Sequence, residues 1–70
     1  MNTCSFDVYF SEYKKLSSTM QRAVRTTASL ELQVRGVEEI GSSDISCVAY
    51  DLYKSLGSFQ AIINYGVELM

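Results

Sequence analysis

The sequence contains no proline and no histidine, and only two cysteines in 70 residues. Without proline the strongest helix breaker is gone, and long helices are open to the chain. Without histidine it lacks the commonest general acid–base group and the usual base of a catalytic triad. Zinc is poorly provided for as well. Cys4 and Cys47 stand forty-three positions apart and form no CxxC unit, whereas structural zinc takes four ligands at recognisable spacings. The expectation is a chain with no metal, no cofactor and no enzymatic step. The stretch MNTCSFDVYFSEYKK shows no basic leader followed by a long apolar run. Two cysteines without an export signal fit a reducing cytosol rather than an oxidised scaffold. Both read as small apolar side chains, buried or half-buried. No run approaches eighteen apolar residues, so no transmembrane helix is expected.

Charge argues against nucleic acid as the first partner. The formal net charge is −2, and Lys14-Lys15 is the longest basic run, while phosphate backbones are met by clustered basic surfaces. A nucleic-acid-binding helical dimer would need Lys14, Lys15, Arg22 and Arg25 on one surface. The charge is uneven along the chain. Residues 1–35 hold five basic side chains against three acidic, and residues 36–70 hold one against five. Two halves of opposite sign attract when folded side by side, which hints at a hairpin.

Seventy residues make one domain, 1–70, and a domain of this size buries only about 60% of its unfolded surface. With disulfide and metal set aside, helix packing and a partner remain as sources of stability. The first half carries the pattern for it. Phe6, Tyr9, Tyr13, Leu16, Met20, Ala23, Thr27, Leu30, Val34 and Val37 step by three and four without a slip, and only Thr27 is polar. That is a coiled-coil-like seam over more than four heptads. Phe10 and Val24 widen it. Leu30–Arg35 also alternates apolar with polar, a strand pattern, but over six residues only and with no partner strand in sight. Gly36 suits a helix end with Arg35 in the last turn. The spacing predicts a helix over about 5–37, a turn over about 38–43 and a second helix over about 44–69.

Ser43 or Asp44 is a ready N-cap for the second helix. Its apolar positions include Leu52, Tyr53, Leu56, Phe59, Ile62, Ile63 and Val67, which are assigned to packing within the hairpin. Gly57-Ser58 could end one helix and cap another. The stripe keeps phase across the pair, so the helix is expected to run through. The fold class is therefore all-α, an antiparallel two-helix hairpin. Both stripes are broader than one seam can bury, and the unused width predicts a further partner.

Cys47 near a helix start lacks a base, and Glu38-Glu39 reads as a solvated acidic patch, so no catalytic residue is assigned. Five tyrosines are many for this length. Aromatic side chains are favoured at interface hot spots, and Phe6, Tyr9, Phe10, Tyr13 and Leu16 are the expected partner-contact residues.

Lys54-Ser55-Leu56-Gly57-Ser58-Phe59-Gln60-Ala61-Ile62-Ile63-Asn64-Tyr65 resembles the C-terminal helix of the YscE-type co-chaperones of bacterial type III secretion needles. That family carries a K-x-L-x-S-x-x-A-I-I-x-Y arrangement, matched here by Lys54, Leu56, Ser58, Ala61, Ile62, Ile63 and Tyr65. The glycine-to-aspartate turn at Gly41–Asp44 is similar too. The first helix departs from the family in being richer in aromatics and poorer in Glu and Lys. The resemblance implies a bacterial cytoplasmic protein that pairs with a larger TPR-like chaperone. The pair would keep the needle subunit soluble and unpolymerised. Apart from the resemblance, the unused apolar width leaves a second copy, a homodimer when the chain is alone, as a further candidate partner. The competing expectation is a small phage- or plasmid-encoded homodimer that binds and modulates a host protein.

Overall fold

Asp7 in the first turn and Lys14 in the last suit the dipole of a short helix, α1 (Phe6–Lys14). In the computed structural model, which describes residues 6–70, it is the first of four helices. The others are α2 (Ser18–Val34), α3 (Ser42–Leu56) and α4 (Phe59–Leu69). No strand occurs among the described residues. The all-α expectation holds, but the two-helix hairpin does not, because each long predicted helix is cut once.

The first cut falls at residues 15–17. Short-range bonds from Lys15 N to Glu12 O (3.1 Å) and Leu16 N to Tyr13 O (3.0 Å) close α1. Ser17 is extended (φ −64°, ψ 162°), and its hydroxyl accepts from the Met20 N–H, which caps α2. The Gln21 side chain then donates to the carbonyls of Tyr13 (3.1 Å) and Leu16 (3.3 Å). Carbonyls that a continuous helix would have satisfied are thus satisfied by a side chain.

α2 ends at Val34, three residues before the expected boundary at 37. Gly36 takes φ +88°, the Gly36 N–H donates to Gln33 O and the Val37 N–H to Leu32 O, each at 3.0 Å. This is a Schellman ending, with half-buried Val37 packed on the core that holds Leu32. Leu30–Val34 is helical despite its alternation. α3 begins at Ser42, not at residue 44. Gly41 is the cap, and Asp44 serves from the third helical position by accepting the Gly41 N–H at 3.1 Å. The second cut falls at Gly57-Ser58. Gly57 takes φ +92° and the Ser58 hydroxyl accepts from the Ala61 N–H at 3.1 Å. The capping chemistry therefore prevails over the unbroken apolar phase.

α2 lies at the centre, packed mainly on α4 and α3, and α1 lies against α3. The core joins Tyr9 of α1, Val24, Ala28 and Leu32 of α2, Val48, Ala49 and Leu52 of α3, and Phe59 and Ile62 of α4. Ile62 and Val24 are fully enclosed, and each such side chain is worth about 1.5–3 kcal/mol relative to exposure. The longest dimension is 33 Å, shorter than the about 45 Å of a thirty-residue helix. No helix among the described residues is long and apolar enough to cross a membrane.

Candidate partner-binding surface

The crossing of α2 and α4 decides which apolar side chains stay outside. Thr27, the polar interruption of the seam, is buried, and its hydroxyl donates to the Ala23 carbonyl at 3.0 Å. Gly66 of α4 lies directly on it, so close that a methyl at Gly66 would overlap the Thr27 hydroxyl. The α4 backbone at Gly66 meets the Thr27 side chain there. Between the two helices runs a groove of about 320 Å³ with Thr27 and Gly66 among its lining residues. Ala23 and Leu30 of α2, Ile63 and Val67 of α4 and its C-cap Met70 supply its apolar lining, with Arg22 among its polar residues. Val67 is 62% exposed and Met70 84%.

One turn away the same two helices are latched by a polar contact. Tyr65 donates to one oxygen of Glu31 at 2.5 Å, and the Arg35 Nε donates to the other at 2.8 Å. The phenol, and after it the guanidinium, hold the Glu31 carboxyl below its ordinary range against the opposing effect of burial. The same bond raises Tyr65, because an ionised phenol could not donate to a carboxylate.

Every other aromatic ring among the described residues belongs to one cluster around Tyr9. Tyr9 stands within 5.6 Å, centroid to centroid, of the rings of Phe6, Tyr50, Tyr53 and Phe59. Burial, and then the neighbouring Tyr13, push its hydroxyl up to about 12. Lys14 lies over Phe10 at 5.3 Å and Lys54 over Tyr50 at 4.6 Å.

This arrangement redistributes the residues named from the sequence. Of the expected partner contacts, Tyr9 is enclosed by its own fold, Tyr13 and Leu16 are half-buried, and Phe6 and Phe10 remain outside. A partner cannot reach Tyr9 while α1 is docked. Of the expected packing residues, Leu52, Phe59 and Ile62 are buried, and Tyr53 and Ile63 are half-buried. Leu56 and Val67 face outward. Leu56 stands beside the turn at Gly57, and Val67 lies past the Gly66 crossing. Cys47 is free and exposed rather than buried, and Cys4 lies outside the described residues. Glu38 and Glu39 are both exposed. Among the described residues no three His, Cys, Asp or Glu side chains are grouped to hold a metal. The Glu31–Tyr65 latch spans thirty-four positions and leaves no local signal in the sequence.

Comparison with protein families, with characterised proteins and with solved structures finds no match to this chain.

Proposed function

We propose that this chain is a non-enzymatic co-chaperone of a bacterial type III secretion system, working in the cytoplasm. Its α2–α4 face docks on a larger TPR-like chaperone, and the pair keeps the needle subunit soluble and unpolymerised. The observation that carries the reading is the apolar groove between α2 and α4, whose outer residues Val67 and Met70 stay largely exposed. A channel between two packed helices suits a third, laid in with its apolar side down. TPR proteins present such helices.

The stretch that carries the family resemblance supports the same face. Within it Ser58 caps α4, Ile62 fills the core and Tyr65 latches α4 to α2, while Ile63 lines the groove. The residues shared with the co-chaperones thus build and orient the helix that bears the surface. A small subunit of this kind stabilises the folded form of its larger partner by mass action.

The test is co-expression with a TPR-like needle chaperone and its needle subunit from the source bacterium, followed by tagged purification. The wild-type chain should bring both down. Val67→Asp should weaken the complex roughly thirtyfold, the loss carried by a hot spot of about 2 kcal/mol, with its helical circular dichroism unchanged. A chain that retrieves neither partner and instead binds an unrelated host protein as a homodimer overturns the reading in favour of a phage- or plasmid-type modulator.

A further inference from the structure

The three joints between helices are built differently. Two of them turn on glycines in the left-handed region, Gly36 at φ +88° and Gly57 at φ +92°. The joint between α1 and α2 uses Lys15, Leu16 and Ser17, none of which has a positive φ. Ser17 departs from a helix through its ψ of 162°. Rotation there joins α1 to α2 in one helix, at the loss of the Ser17 cap and the Gln21 side-chain bonds. The apolar steps Tyr9, Tyr13, Leu16, Met20, Ala23 run through this joint in phase, so the straight form would keep them on one face.

α1 is also the most loosely seated helix. It meets the rest of the fold through ring contacts and through the bonds between Tyr13 and Gln21, and Tyr9 is the one buried residue of the helix. Beneath it a cleft of about 320 Å³ stays open between Tyr9, Phe10 and Tyr13 on one side and Arg25, Ile45 and Ala49 on the other. Imperfect packing lowers the cost of leaving. Departure nonetheless exposes Tyr9 and its aromatic slot together, and what fits the vacated slot best is the same helix from another copy.

We propose that α1 is an exchangeable arm. In the exchanged form α1 and α2 are continuous, and the arm's Tyr9 enters the slot formed by Tyr50, Tyr53 and Phe59 of a second copy. The product is a closed homodimer with two reciprocal arms. Its slot shares no residue with the α2–α4 groove.

Light scattering over a wide concentration range tests this on three chains. The wild type should show a dimer fraction that rises with concentration. Ser18→Pro should abolish it. Position 18 is the first helical residue of α2, where proline is favoured, and extended Ser17 suits the residue before a proline. In a continuous helix the same proline would sit in the interior and break it. Ser17→Ala removes the cap of the closed form. It should favour straightening about fivefold per arm, hence tighten the dimer roughly twenty-five-fold. A dimer untouched by Ser18→Pro, or no tightening with Ser17→Ala, overturns the proposal, as does a wild type that stays monomeric throughout. Val67→Asp should leave this dimer unchanged, which separates it from failure of the α2–α4 reading.

Discussion

Gly66→Ala is the substitution that reads the architecture most directly. Within a helix, alanine is ordinarily better than glycine by about 1 kcal/mol, so the local effect is stabilising. The crossing with α2 opposes it. The added methyl would overlap the Thr27 hydroxyl and stand 3.1 Å from Thr27 Cβ and 3.2 Å from Cγ2. Thr27 has no easy escape, being buried with its hydroxyl bonded to Ala23. Overpacking of a close contact costs about 1–3 kcal/mol. With so little room to yield, the upper part of that range applies, and the net is a loss of about 1–2 kcal/mol. For a chain of this length that lowers Tm by roughly 7–14 °C. Thr27→Ala alone removes a buried methyl and hydroxyl. It should cost about 1 kcal/mol, partly offset by alanine's helix propensity. In the double variant the new methyl at 66 occupies what Thr27 vacated. The pair should be at least as stable as Thr27→Ala, with a coupling of about 2 kcal/mol between the sites. Urea and thermal melts followed by circular dichroism supply all four corners. If Gly66→Ala melts above the wild type, or the two changes simply add, the helices do not meet at this point.

Ile62→Ala, at the most enclosed large side chain of α4, should cost about 2–5 kcal/mol by the same melts. Gly57→Ala meets no neighbour within 4 Å, so its cost is backbone strain alone, about 1–2 kcal/mol, with packing unchanged. The Glu31 latch has a definite pH signature. Its carboxyl is held below the ordinary 4.5 in the folded chain, so the unfolded chain binds the proton first. The latch's contribution is present above about pH 4.5 and is lost as pH falls through the folded value. Tyr65→Phe should lower stability at neutral pH and flatten the acid limb of a pH–stability profile, and an acid limb left as steep as in the wild type would refute the assignment. At the alkaline end Tyr65 and Tyr9 are both raised above 10.0, so their contribution is present below about pH 10 and lost above it. The wild type should lose stability there faster than Tyr65→Phe does.

What was legible in the sequence was the choice of helix and much of the apolar inventory. The phase of Phe6 to Val37 overrode the alternation at Leu30–Arg35, and those residues are indeed helical through Val34. Leu52, Phe59 and Ile62 do lie inside. The division of the surface was not legible. Aromatic side chains read as partner contacts because a two-helix hairpin has no interior for them. Four short helices do have one, so Tyr9 moved inward as the hairpin was replaced. Thr27 looked like a flaw in the seam, yet a small side chain that can bond back to Ala23 is what a glycine crossing requires.

The first cut went unseen, and the break at Gly57-Ser58 was set aside for unbroken phase, both for one physical reason. Apolar phase records which side chains return to one core, and a chain that turns can return them as well as one that runs straight. Leu56 to Phe59 is a step of three whether or not Gly57 reverses the backbone. Tyr13 to Leu16 to Met20 keeps phase over a joint where Ser17 is extended. Phase therefore carries no information about continuity. Capping does, because it answers the separate question of where the unpaired N–H and C=O groups go. Gly57-Ser58 is a left-handed terminator followed by an N-cap, and each half is common alone but costly inside a helix. That paired signal outweighs phase, and it marks the second cut. The first had only Ser17, with Met20 rather than a glutamate three positions on and no glycine before it. A break so weakly marked is one the chain can also close, and the same poverty of signal that hid the α1–α2 joint from the sequence is what makes it the joint able to straighten.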